Sequence, residues 1–173
     1  MANDPTTQKE IRERLALIIS QFVTPFKTTT TNHGDVYSVA PMNLQRAQLP
    51  AIVITDAVSN YQSSPPRGSR MVIINSLFNI SLYNSEWQAN TDNNINLSDI
   101  DDTIYELEDL LFVRRSLEDV NNDALPFVED MFLQTASPIE VRPYVQVAGA
   151  TLPSPTLYVH KRLTLNIRYR RIV

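Results

Sequence analysis

Two segments of this chain alternate apolar and polar residues too regularly to be anything but sheet. In one, Phe78, Ile80 and Leu82 alternate with Asn79, Ser81 and Tyr83. In the other, Leu163, Leu165, Ile167 and Tyr169 alternate with Arg162, Thr164, Asn166, Arg168 and Arg170. Successive side chains of a strand point to opposite faces, so each segment offers one face to a core and the other to water or a partner. Strands are therefore expected over Met71–Tyr83 and Leu157–Tyr169, and any fold must cover one face of their sheet with other elements.

Helical periodicity supplies the cover. Ile11, Leu15, Ile18, Ile19 and Phe22 recur at steps of three and four residues, which predicts an amphipathic helix from about Lys9 to Phe22. Thr7 and Glu10 have capping-box spacing, and Pro25 stops the helix. Burial of that stripe contributes at most roughly 7 to 15 kcal/mol, at about 1.5 to 3 kcal/mol per large apolar side chain. A second helix is expected from about Asp99 to Arg114, with Ser98 as N-cap and Leu97, Ile100, Ile104, Leu107 and Leu111 down one face. Asp99, Asp101 and Asp102 suit its first turn, and Arg114 and Arg115 its last.

Between these elements, Val36–Val39 reads as a short strand and Leu49–Thr55 as a longer one with its proline at the start. The unbroken apolarity of Ala51–Ile54 implies cover on both faces. Ser59–Arg70 is polar and aperiodic and is expected to be a long loop at the tip of a hairpin, ordered against a neighbour on assembly. Pro126–Thr135 and Ile139–Val147 read as further strands, and Ala148-Gly149 with the prolines at 153 and 155 marks a turn or loop before the last strand. The sum is a single α+β domain: a mainly antiparallel β-sheet packed against two amphipathic helices.

At 173 residues the chain is long enough for a substantial core without staples. It has no cysteines, which removes disulfides, thiolate nucleophiles and sulfur-ligated zinc, and suits folding in a reducing cytoplasm. The N-terminus lacks the pattern of a signal peptide, and no apolar run is long enough to span a bilayer, so a soluble protein with no membrane partner is expected. A net charge of -4 argues against a dedicated nucleic-acid binder. Three glycines, Gly34, Gly68 and Gly149, are too scattered for a phosphate-binding loop.

Chemistry-bearing patterns are few. Asp92, Asn94 and Asn96 match the first ligands of a calcium loop, but Leu97 stands where its glycine belongs and Thr103 where its closing glutamate belongs. His33 and His160 lack metal-ligand or nucleophile-elbow context. The carboxylates of the second helix, Asp99, Asp101, Asp102, Glu106, Glu108 and Asp109, form an acidic face, and Arg162, Arg168 and Arg170 form a basic one on the last strand. Each reads either as solvated surface or as half of a contact between subunits. Catalytic, cofactor-binding and metal-binding residues are not assigned.

The order of parts resembles the tail-terminator family of long-tailed bacteriophages. The resembling features are the helix ending near Phe22, the strand Leu49-Pro50-Ala51-Ile52-Val53-Ile54 and the arginine-led strand from Arg70 to Tyr83. The helix around Leu107–Leu111 and the closing strand Leu163-Thr164-Leu165-Asn166-Ile167-Arg168-Tyr169 complete the pattern, which covers nearly the whole chain. Ser64–Arg67 and Val145–Pro155 have no counterpart in it. The resemblance implies a hexameric ring at the head-proximal end of the tail, with no cofactor. Its partners would be copies of itself, the tail tube protein and a neck or connector protein, with DNA only passing through. Candidate interface residues are Arg162, Arg168 and Arg170, Asp102, Glu106 and Asp109, and Tyr61, Arg67 and Arg70 of the loop. Alternatives are a neck or tail-completion protein, a small hydrolase using the second-helix carboxylates, and a nucleic-acid-binding module using the arginine strand.

Overall fold

The computed structural model describes residues 8–31, 33–41, 44, 49–61, 71–84, 98–143 and 157–172. In chain order these form α1 (Gln8–Phe22), a 3-10 turn (Thr24–Phe26), β1 (Asp35–Tyr37), β2 (Ala51–Tyr61), β3 (Met71–Asn84), α2 (Ser98–Val113), β4 (Val128–Ala136), β5 (Glu140–Pro143) and β6 (Leu157–Ile172). The strands make one sheet in the order β1-β2-β3-β6-β4, with β5 continuing along β6 beyond β4. All pairings are antiparallel except β1 with β2. The fold is the α+β arrangement expected, and no helix among the described residues is long and apolar enough to cross a membrane.

The two alternating segments are the central strands, paired with each other along the whole of β3 from Met71–Ile172 to Asn84–Val159. Ile74, Phe78 and Ile80 of β3 face the core beside Leu163, Leu165, Ile167 and Tyr169 of β6. The same cluster takes in Ile11, Leu15, Ile18 and Ile19 of α1 and Ile100, Ile104, Leu107, Leu110 and Leu111 of α2. Both helices therefore lie on one face of the sheet, α1 over β1 and β2 and α2 over β4. Two layers result, and the other sheet face carries Asn75, Asn79 and Ser81 of β3 with Arg162, Thr164, Asn166, Arg168 and Arg170 of β6. At the start of β2, Ala51, Ile52, Val53 and Ile54 are all buried, as expected of a strand covered on both faces.

Polar residues inside the core are satisfied along a chain of hydroxyls. Gln8 donates to the Ser59 hydroxyl, Ser59 and Ser76 Oγ are 2.8 Å apart, and Ser76 Oγ donates to the Tyr169 hydroxyl at 3.3 Å. These bonds explain one correction to the sequence reading. Ser59, Asn60 and Tyr61 belong to β2, not to a loop, and pair with Ser76, Asn75 and Ile74 after a bulge between Asp56 and Ser59. A bulge re-aims a strand without ending it, and the Ser59–Ser76 hydrogen bond lets polar residues continue the ladder. The remainder of that segment, with Arg67 and Arg70, lies outside the described residues, as do the proposed cap Thr7 and the calcium-like run Asp92–Leu97.

A second correction concerns the end of α2. It stops at Val113, so Arg114 and Arg115 follow the last turn and do not occupy it. Arg114 N–H still bonds the Leu110 carbonyl at 2.9 Å, and Leu117 then takes a left-handed backbone (φ 57°) with its side chain fully buried. Leu117 N–H bonds the Arg114 carbonyl at 3.0 Å, closing a turn that directs the chain back toward α1. Core burial of Leu117 overrides the preference for glycine at such a position.

Candidate functional site

Helix α2 presents two unlike faces. Its core stripe, Ile100, Ile104, Leu107 and Leu111, leaves Asp101, Asp102, Tyr105, Asp109, Phe112 and Val113 exposed on the side turned away from the sheet. Tyr105 and Phe112 are 72% and 61% exposed, and a spacing of seven residues stacks them along one outward line. Among the described residues, no basic side chain pairs with Asp101, Asp102, Glu108 or Asp109.

Glu106 is different. It is half-buried, and its Oε2 accepts the Thr24 backbone N–H at 2.6 Å, capping the 3-10 turn that follows α1. The carboxylate thus works inside the subunit, satisfying an N–H left without a helical partner. The acidic face available to a neighbour centres on Asp101, Asp102, Glu108 and Asp109, with Tyr105 between the two acidic pairs and Phe112 one turn beyond the second.

The basic face lies on β6. Arg162, Arg168 and Arg170 are exposed on the sheet surface opposite the helices. Glu129, in the bulge of β4, bridges two of them: its Oε2 lies 2.8 Å from Arg168 Nε and its Oε1 3.1 Å from Arg170 Nε. One carboxylate between two guanidinium groups fixes both arginine heads yet leaves the face positive. Phe132, 46% exposed, stands opposite Asn166 on the neighbouring strand. Thr164 Oγ1 donates to Asn79 Oδ1 at 2.9 Å, and Asn166 Oδ1 is buried with no hydrogen-bond partner. Tyr61 ends β2, its backbone paired with Ile74; its side chain lies outside the described residues.

The two histidines are far apart. His33 precedes β1 at one edge, with Nδ1 3.0 Å from the Gly34 carbonyl oxygen, whereas His160 lies on β6. Two strands separate β1 from β6, so the rings are set apart by roughly 14 Å of sheet at about 4.8 Å per strand. His160 is buried against Tyr83, ring centres 4.8 Å apart, with Nδ1 3.8 Å from Glu140 Oε2. No group of three or more His, Asp or Glu side chains among the described residues is placed to hold a metal ion. An open groove of about 380 Å³ between α1 and β1 is lined by Glu13, Leu17, Ser20, His33 and Asp35 among others. It brings none of the candidate carboxylates of α2 together with a nucleophile.

A third cluster is structural. Asp119 Oδ1 accepts the N–H groups of Asn121 (2.8 Å) and Asp123 (3.0 Å), while its Oδ2 lies 3.1 Å from Arg14 Nη1 on α1. The Asp123 N–H draws the carboxyl below its ordinary range; desolvation opposes this, and the Asn121 N–H and the Arg14 charge reinforce it. With Arg114 bonding the carbonyls of Glu118 (3.1 Å) and Asp119 (2.8 Å), the cluster fastens the segment after α2 onto α1.

No protein-family model and no curated protein sequence matches this chain. The functional reading therefore rests on the two faces themselves. The acidic–aromatic face of α2 and the arginine face of β6 lie on opposite sides of a two-layer domain. Sequence periodicity located both faces but missed Tyr105 and Phe112, although both fall opposite the Ile100–Leu107 stripe on a helical wheel.

Proposed function

We propose that this chain is a structural assembly protein of a virus particle, a subunit that acts by fitting against other subunits and not by turning over a substrate. More particularly, it is a tail terminator of a long-tailed bacteriophage. Copies form a ring, hexameric in that family, at the head-proximal end of the tail. The ring caps the tube, stops its growth and offers its far side to the neck or connector protein, with DNA passing through.

The observation that carries this reading is the pair of unlike charged faces on opposite sides of one α+β domain, in a chain whose sequence pattern resembles that of the tail-terminator family. Such faces suit a heterologous contact, which builds rings when its rotation closes.

The test is tube growth. Added to polymerising tube protein, the purified chain should arrest elongation, and tails assembled without it should be overlong and unjoined to heads. Tails of normal, uniform length that merely fail to join heads would reassign it as a neck or tail-completion protein.

A further inference from the structure

We infer that copies of this chain associate helix-to-sheet: the outward face of α2 on one protomer docks on the arginine face of β6 on the next, with Tyr105 and Phe112 as anchors. The inference deepens the ring reading above by naming the contact, and rests on it only for ring closure.

Three observations converge. First, the outward side of α2 is apolar where a lone helix should be most polar. Tyr105, Phe112 and Val113 are 72, 61 and 69% exposed, and the first two are large aromatic side chains on one line. Large exposed aromatics grouped together mark contact surfaces, and aromatic side chains supply a disproportionate share of contact energy. Second, Asp101 and Asp102 on one side and Glu108 and Asp109 on the other flank Tyr105, and the second pair borders Phe112, without basic partners among the described residues. Negative charge interleaved with aromatic side chains selects an occupant that carries positive charge beside its own apolar patch.

Third, the chain carries that occupant. On β6 and β4, Phe132 and Asn166 stand opposite each other on the outer sheet face, with Arg168 and Arg170 further along β6 on one side and Arg162 on the other, and Glu129 holds two of the arginine heads in place. Guanidinium planes stack on aromatic rings as well as bonding carboxylates, so arginine suits a surface of tyrosine, phenylalanine and aspartate.

Geometry fixes the mode of association. Helices cover one sheet face and the arginines occupy the other, so the two surfaces cannot meet within one protomer. Because they are different surfaces, their contact leaves an unused copy of each at the ends of every dimer. Association is head to tail, and its growth ends only by closure.

The mode of association is tested with two variants of the full chain, each broken on one face. Tyr105→Ser with Phe112→Ser removes the helix anchors, and Arg168→Gln with Arg170→Gln removes the sheet charges. Size exclusion with light scattering should show self-association of each variant weakened at least about tenfold relative to the unaltered chain. Mixed in equal amounts, the two should form a two-chain species that grows no further, since each retains the face the other lacks. Asp101→Lys with Asp109→Lys, which leaves the aromatics and the core intact, should join the first variant in failing to self-associate and should likewise form the two-chain species with the sheet-face variant, because its arginine face is unaltered. Either anchor variant assembling like the unaltered chain, a mixture that stays monomeric, or an unaltered chain monomeric at every concentration would overturn the inference. Arrest of tube growth is scored separately. Arrest by the helix-face variant would refute this contact and leave the tail-terminator reading standing, whereas paired mixtures without arrest by the unaltered chain would do the reverse.

Discussion

The Arg114 guanidinium carbon lies over the Phe22 ring, 3.8 Å from its centre, and so joins the end of α2 to the end of α1. The same side chain bonds the carbonyls of Glu118 and Asp119, so one residue serves a cation–π contact and two carbonyl acceptors. Replacing Arg114 by alanine should cost about 2 kcal/mol, lowering the melting temperature by roughly 4 to 8 °C. Lysine should recover less than half, because an ammonium cannot stack on the ring while spanning two carbonyls. Calorimetry giving an unchanged melting temperature for Arg114→Ala would show that the two helix ends are held by other contacts.

Asp119 makes the acid limb of stability specific. Its carboxyl is held below the ordinary value of 3.8, first by the Asp123 N–H, against desolvation, then by the Asn121 N–H and Arg14. A carboxyl lowered on folding stabilises the native state fully above its unfolded pKa, and that contribution fades as pH falls through the lower folded value. Asp119→Asn should therefore be less stable than the parent by a constant margin near neutrality, and the margin should shrink below about pH 4. Urea midpoints measured from pH 7 to pH 2.5 check this; a margin independent of pH across that range would refute it.

Gly34 sits where a side chain does not fit. A Cβ there would lie 2.4 Å from the Pro50 carbonyl oxygen and 2.8 Å from Cε1 of the buried Phe26. The obstacle is backbone on one side and a packed ring on the other, so β1 would have to move off β2. Gly34→Ala should cost about 1 to 3 kcal/mol. A melting temperature equal to that of the parent would mean that this edge gives way freely.

Leu117 reverses an ordinary preference. Truncating its fully buried side chain should cost about 2 to 5 kcal/mol, but alanine retains the left-handed strain at φ 57° and glycine does not. Leu117→Gly should therefore be at least as stable as Leu117→Ala. Alanine proving clearly better would show that the backbone relaxes out of this conformation once the side chain is gone.

Where the sequence was legible, periodicity was strong and local. Both helices and the β3 and β6 strands lie within a few residues of expectation because their apolar residues keep one period throughout. β2 ran past its expected end because Ser59–Tyr61 are polar, and only the Ser59–Ser76 bond across the ladder shows why such residues stay paired. The charged faces could be read from alternation, but their internal use could not. Glu106 is drawn into a cap on Thr24, and Glu129 into a bridge between Arg168 and Arg170, by residues distant in the chain. The aromatic line of Tyr105 and Phe112 was hidden for another reason: two apolar residues within an apolar-rich helix resemble core until the opposite stripe is known to be buried.

Negative-stain electron microscopy of the purified chain decides whether this domain closes into a ring by repeating one contact between unlike faces. Closed rings with a central hole are expected at raised concentration or on tail ends, and should be lost when Arg168 and Arg170 are replaced together by glutamate. Single-chain particles under all conditions, on tails as well as in solution, or rings unaffected by that double replacement would contradict it.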